Sequence, residues 1–306
     1  MFSFENRPFF RVCFAVRDHL HPSCNLISFP CIRRDRRIPQ EMSPFVMPRC
    51  RKQKVKRMEY SVRINGIDTT AHYEERAVQE LFLPLLRHLT DLQMQKDGRV
   101  LVLLAAPPGA GKTTLLSFLE TLSKTHPGLC PVQVIGMDGF HRRQEYLLSH
   151  TVSRDGQDIP MVRIKGAPVT FDLEGLTRRI QIAASGAVCT WPVYDRLLHN
   201  PVEDAVTVDG SIVLLEGNYL LLDADGWRDL SAFADYTVSI RAPEALLRRR
   251  LIDRRIRTGV EAEAAAAFVD FSDMPNVRTC LELTMPADLE LFLDDAGGYH
   301  TVPTEP

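Results

Sequence analysis

The stretch RVLVLLAAPPGAGKTTLL, residues 99–116, constrains this chain more than any other. After Arg99 comes an unbroken apolar run of the kind that forms a strand buried on both faces, and the end of the stretch has helical spacing. Between them lies a Gly-x-Gly-Lys-Thr-Thr turn, so the segment predicts a strand, a phosphate-binding loop and a helix in that order. Backbone N–H groups and the start of the helix then face an anion. Pro108, Gly109, Ala110, Gly111, Lys112, Thr113 and Thr114 are the candidate nucleotide contacts. Lys112 can reach the β- and γ-phosphates, and Thr113 can offer its hydroxyl to Mg²⁺. The glycine usually found at the head of such a loop is Ala106. Alanine is tolerated there if the position keeps negative φ, because only positive φ or a close backbone approach demands glycine.

The flanking sequence supports the same architecture. VQVIGM (132–137), SIVLLEG (211–217) and YTVSIRA (236–242) read as further buried strands, with helices expected from about Lys112, near 172–184 and from Pro243. Apolar strands separated by helices imply an α/β fold, a mostly parallel sheet with helices on both faces. EYSVRINGIDTTAHY alternates around Asn65-Gly66, a strong hairpin signal, and precedes a helix carrying Val78, Leu81, Leu85 and Leu89. ADLELFLDDAGGYHTV reads as a second, terminal hairpin.

Composition narrows the class. The chain has 306 residues, 45% of them hydrophobic, and a net charge of −2, enough apolar material for a sizeable core and no overall call on nucleic acid or an anionic membrane. The balance is uneven: residues 1–57 hold 13 Lys and Arg against 4 Asp and Glu, the remainder 24 against 35. The basic head has no sustained periodicity, and no apolar run in the chain approaches the roughly 20 residues of a spanning helix. An organelle transit segment, a basic tail touching nucleic acid, a disordered tail without a role and an extension upstream of a start at Met58 all fit the head, the last being favoured and the disordered tail next. The expected organisation is therefore a basic extension over 1–57 and one α/β domain over 58–306. The scattered cysteines form no zinc pattern and suit a reducing cytoplasm.

No Asn is followed by Lys, which argues against a GTPase, and no Leu-Ser-Gly-Gly signature is present, which argues against an ABC ATPase. Two carboxylates sit at strand ends, where open α/β sheets place ligands: Asp138 after VQVIGM and Glu216 after SIVLL. One suits Mg²⁺ ligation or its support, the other a base that takes a proton from a hydroxyl. RRRLIDRRIRTG places Arg250 and Arg254 on one helical face, a lid around 246–259 able to cover transferring charge.

Together APPGAGKTT, MDGFH, KGAPVTFD, WPVYDRLLHNPVEDA, LLEGNYLLLD and SDMPN resemble the YggC-like bacterial kinases, near uridine kinase, phosphoribulokinase and bacterial-type pantothenate kinase. The likeness runs from about Met58 to the end. It implies ATP and Mg²⁺, a small-molecule hydroxyl acceptor with no membrane or nucleic-acid partner, and a homodimer as one open oligomeric state. Transferred onto this chain, it places Asp138 at the acceptor hydroxyl and Tyr194 and Asp195 against the acceptor. Arg196, His199, His141 and Lys165 are additions around the same pocket, and Glu216 and Thr113 are the metal side. The lid spacing is one residue longer than the Arg-x-x-Arg of uridine kinases, so the resemblance gives Arg250 and Arg254 no separate roles. A nucleotide-sensing or assembly NTPase is the alternative use of the same loop, and it would not need the acceptor-side set.

Overall fold

The computed structural model describes residues 56–64, 67–154 and 156–301, all within the compact unit Gln53–Pro306. Most of the basic head and the Asn65-Gly66 turn lie outside the described residues. The chain opens with strands β1 (Arg57–Ile64) and β2 (Ile67–Glu74), paired antiparallel as the alternating pattern predicts. Arg57, the last residue of the basic run, thus already belongs to β1, where it faces Glu74 at 3.6 Å. Helix α1 (Glu75–Ala77) continues through a π turn, Val78–Phe82, into α2 (Leu83–Gln95). Pro84 follows that turn directly, where its missing N–H falls at the start of a new helical register.

Strand β3 (Val100–Ala105), helix α3 (Lys112–Thr125), strand β4 (Val132–Gly136) and the short helix α4 (Gln144–Ser149) come next. Hairpin β5 (Thr151–Arg154) and β6 (Gln157–Pro160), helix α5 (Leu173–Ala184), and hairpin β7 (Cys189–Asp195) and β8 (Asn200–Val208) follow. The chain then forms β9 (Ile212–Gly217), β10 (Tyr236–Arg241), α6 (Glu244–Arg257), α7 (Ala262–Phe268), α8 (Met274–Leu283), β11 (Leu289–Leu293) and β12 (Tyr299–Thr301).

One six-stranded sheet runs in the order β12-β11-β10-β3-β9-β4 and is parallel except for β12, the return strand of the terminal hairpin. Every residue of β3 and of β9 is buried, because both faces are covered. Val100, Val102 and Leu104 join a core with Leu85, Leu89, Leu115 and Leu119 on one side. Leu101, Leu103 and Ala105 join a second core with Leu176, Ile180 and Trp227 on the other. This alternation leaves the carboxyl ends of β3, β9 and β4 side by side, the usual place for a ligand in an open α/β sheet.

Candidate functional site

The loop leaving β3 begins with Ala106, whose N–H donates to the Gly217 carbonyl at 3.2 Å. Gly109 and Gly111 both take φ of +85°, conformations that side chains other than glycine rarely adopt. A Cβ on Gly109 would also stand 3.1 Å from the Leu247 carbonyl and from Leu251 Cγ, so α6 rests directly on the loop. Arg250, from the same helix, directs Nη1 to the Ala110 carbonyl at 3.3 Å. Pro108, Ala110 and Thr114 fall within this loop and the first turn of α3.

Register places Glu216 of β9 opposite Gly136 of β4 and Leu104 of β3, between the loop and the end of β4. Thr113 Oγ1 donates to Glu216 Oε1 at 2.6 Å, and Lys112 Nζ lies 3.8 Å from Oε2. Glu216 is 8% exposed, and its Oε2 has no hydrogen-bond partner. Burial raises its pKa and the nearby Asp138 charge adds to the effect, against Lys112 and the Thr113 hydrogen bond. A buried carboxylate oxygen left unpaired beside a threonine hydroxyl suits a hard cation that keeps most of its ligands from phosphate and water. Among the described residues no group of three or more His, Cys, Asp or Glu could hold a metal ion by itself. Lys112 Nζ also donates to Asn218 Oδ1 at 2.7 Å. Sequence reasoning missed Asn218, although its position two residues beyond Glu216 was a signal.

On the other side of Glu216, Asp138 sits in the tight turn Met137–Phe140 at the end of β4. Gly139 lets β7 approach: a Cβ there would fall 2.1 Å from the Pro192 carbonyl. Trp191 fixes the approach by donating Nε1–H to the Gly136 carbonyl at 2.8 Å. A cavity of about 240 Å³ opens between these elements, lined by Thr113, Asp138, Tyr194, Arg196 and Glu216 among others. The Asp138 side chain is 49% exposed, and Arg196 Nη2 lies 3.9 Å from its Oδ2. Burial disfavours its charge, but His141, Lys112, Arg196 and Arg254 outweigh burial and hold its pKa below the usual value. Asp138 is therefore an ionised acceptor at neutral pH.

His141 backs this wall without lining the cavity, with Nδ1 2.8 Å from the Asp138 carbonyl oxygen and its ring 5.0 Å from that of Tyr194. Burial lowers its pKa, against the raising effect of Asp138. Lys165 Nζ lies 4.8 Å from the Tyr194 ring centroid. Two expected acceptor residues take a more structural place. Asp195 Oδ1 accepts the N–H groups of Leu197 and Leu198 at 2.7 and 2.9 Å and so shapes the β7–β8 turn. His199 has φ of 53° and contributes its backbone carbonyl, which accepts from Lys165 at 3.0 Å.

The arginines of α6 divide along the helix. Arg250 touches the phosphate loop, whereas Arg254, open to solvent, is near enough to Asp138 and Asp273 to feel both charges. Arg255 donates to Asp273 at 3.2 Å and stacks on Phe268, and Arg248 pairs with Asp270 at 2.7 Å, so these two fasten α6 to the α7–α8 segment.

No family model matches the chain. It is 39% identical to the uncharacterized protein YggC of Escherichia coli (strain K12), over 79% of this chain and 99% of that protein. It is 32% identical to protein C227.14 of Schizosaccharomyces pombe (strain 972 / ATCC 24843), provisionally named a uridine kinase, over 71% of this chain and 88% of that one. Among solved structures, a protein of Silicibacter sp. TM1040, provisionally named a fructose transport system kinase, superposes with a TM-score of 0.58 at 33% identity. It covers 66% of this chain and 98% of its own.

Proposed function

Because this chain belongs to the YggC family of P-loop kinases, relatives of uridine and pantothenate kinases, we propose that it is an ATP-dependent kinase acting on a hydroxyl of a small metabolite. The observation that carries the reading is the 240 Å³ cavity that has the Thr113–Glu216 pair on one wall and an ionised Asp138 on another. A nucleotide switch needs the first but has no use for the second.

In the reaction a new O–P bond forms between the acceptor oxygen and the γ-phosphorus. The bond from that phosphorus to the bridging oxygen breaks, its electrons leaving with ADP, and the acceptor proton passes to the Asp138 carboxylate. The loop amides between Gly109 and Thr113 and the Lys112 ammonium hold the phosphates in register with the acceptor. Thr113 and Glu216 would hold Mg²⁺, which when bound neutralises phosphate charge. Arg250 and Arg254 lie where positive charge can meet the transferring group, and α6 over the loop limits water. Tyr194 and Arg196 line the acceptor end, with the His141 ring packed against Tyr194.

The test is ADP release by the full chain with Mg-ATP and a panel of sugars, polyols, nucleosides and pantothenate, measured above the background without acceptor. At least one acceptor should raise the rate, and Asp138→Asn should lower that rate about 10² to 10⁴-fold while ATP still binds. An Asp138→Asn enzyme with full turnover removes Asp138 from this role. ATP hydrolysis that no acceptor accelerates moves the nucleotide-switch reading to the front.

A further inference from the structure

Lys165 stands over Tyr194, a wall residue of the acceptor cavity, and differs from Arg196, Arg254 and Lys112, the cations that act on Asp138, each of which has a carboxylate near it. Arg196 faces Asp138, Arg254 feels the charges of Asp273 and Asp138, and Lys112 lies beside Glu216. Lys165 Nζ donates to Gln144 Oε1 and to the His199 carbonyl, both at 3.0 Å, and its remaining neighbour is the face of Tyr194. All three are neutral, and among the described residues no carboxylate pairs with it. Burial pushes the Lys165 pKa down, with no acidic neighbour to oppose it.

The contrast within the chain is direct. A second cavity, of about 530 Å³, is lined by Arg142, Arg143, Arg178 and Arg179. Each of these has its own acid: Asp172 at 3.8 Å, Glu203 at 3.7 Å, Glu174 in contact, and Asp204 at 3.5 Å. The arginines lining this second cavity are thus each compensated, whereas Lys165, over Tyr194 beside the acceptor cavity, has only neutral partners. A half-buried ammonium without a counterion costs stability. The backbone beside it is also strained, since His199 takes φ of 53° in presenting the carbonyl that Lys165 uses. Uncompensated charge and local strain together mark a position built for a ligand.

We propose that the acceptor carries a carboxylate or phosphate group in addition to the reacting hydroxyl, and that Lys165 holds that group over the Tyr194 ring while Asp138 takes the hydroxyl proton. This rests on the kinase reading and narrows it to anionic acceptors. The anionic group is unchanged by the reaction; only the hydroxyl O–H and the γ-phosphoryl bond are exchanged for the new O–P bond and a protonated Asp138.

The experiment compares acceptors with and without an anionic group: glycerate with glycerol, gluconate with glucitol, pantothenate with pantothenol, and ribose 5-phosphate with ribose. ADP release by the full chain is measured for each. The anionic member of one pair should be preferred by about tenfold or more in kcat/KM, and which pair responds separates carboxylate from phosphate. Lys165→Met should raise KM for that acceptor about 10- to 100-fold, with kcat changed by less than about threefold and the neutral partner unaffected. Lys165→Arg should recover part of the loss, which a purely structural role at a half-exposed position would not require. A neutral acceptor used as well as its charged partner, with its rate still dependent on Asp138, overturns this proposal and leaves the kinase reading standing. So does a Lys165→Met enzyme that loses activity equally on both members of a pair. Failure of every acceptor removes the kinase reading, and this proposal with it.

Discussion

Ala106 shows how little a departure from a motif can matter when its conformation is known. The described residues other than glycine with positive φ are His199 and Asp204, so Ala106 keeps the negative φ that an alanine prefers. Its methyl is 2% exposed in the core shared by α2 and α3, and its N–H is satisfied by Gly217. Ala106→Gly should therefore leave ATP affinity within about threefold and cost about 0.5–1 kcal/mol of stability through backbone entropy. The next glycine of the loop behaves differently, because Gly109 combines φ of +85° with Leu247 and Leu251 at 3.1 Å. Gly109→Ala should weaken ATP binding by more than about tenfold, since either the loop or α6 must move. Isothermal titration of both variants with ATP checks the pair, and equal affinities would refute the distinction.

What could be read from the sequence depended on how strongly burial and periodicity marked each element. Strands β3 and β9 were legible because all their residues are buried and apolar, and their order with α3 and α6 followed from the same runs. The hairpin β7–β8 was not, although it forms a wall of the site. Its burial is irregular, and Pro192 interrupts the run where the register shifts between Trp191 and Val193. Gly139 is the other half of that arrangement, since the bulged backbone at Pro192 occupies the space its side chain would need. Gly139→Ala should lower stability by about 1–3 kcal/mol and abolish acceptor-dependent turnover by displacing β7 from Asp138. ATP binding should survive, because the phosphate loop lies on a different strand. A thermal unfolding scan paired with ATP titration separates these effects, and a variant that loses ATP binding as fully as turnover would contradict the assignment.

The site as a whole draws on distant parts of the chain, and that decides which of its residues could be foreseen. Asp138 and Glu216 were legible together because each ends a strand of one parallel sheet, and β4 and β9 are neighbours in it. The roles of the His199 carbonyl and of Asp273 as the anchor of Arg255 follow from three-dimensional approaches that no spacing encodes. Arg99 is the strongest case. In the sequence it is merely the residue before a buried strand; in the fold it is 5% exposed and its guanidinium collects carbonyls from three places. Nε donates to Gly210 at 2.8 Å, Nη1 to Ala183 and Ala187 at 2.9 Å each, and Nη2 to Val208 at 3.2 Å. These carbonyls close the end of α5 and the end of β8 onto the start of β3, at the end of the strands opposite the phosphate loop. Arg99→Met keeps the apolar stem but leaves four carbonyls short of a donor, so it should destabilise the protein by about 3 kcal/mol. For a domain of this size that is a fall of roughly 6–12 °C in Tm. Below the new transition KM for ATP should be unchanged, because the clamp acts on how the helices and strands are held together and not on the loop that receives the nucleotide. An unaltered Tm would show that water replaces the guanidinium at these carbonyls, and a raised KM at low temperature would show that the two ends of the sheet are coupled.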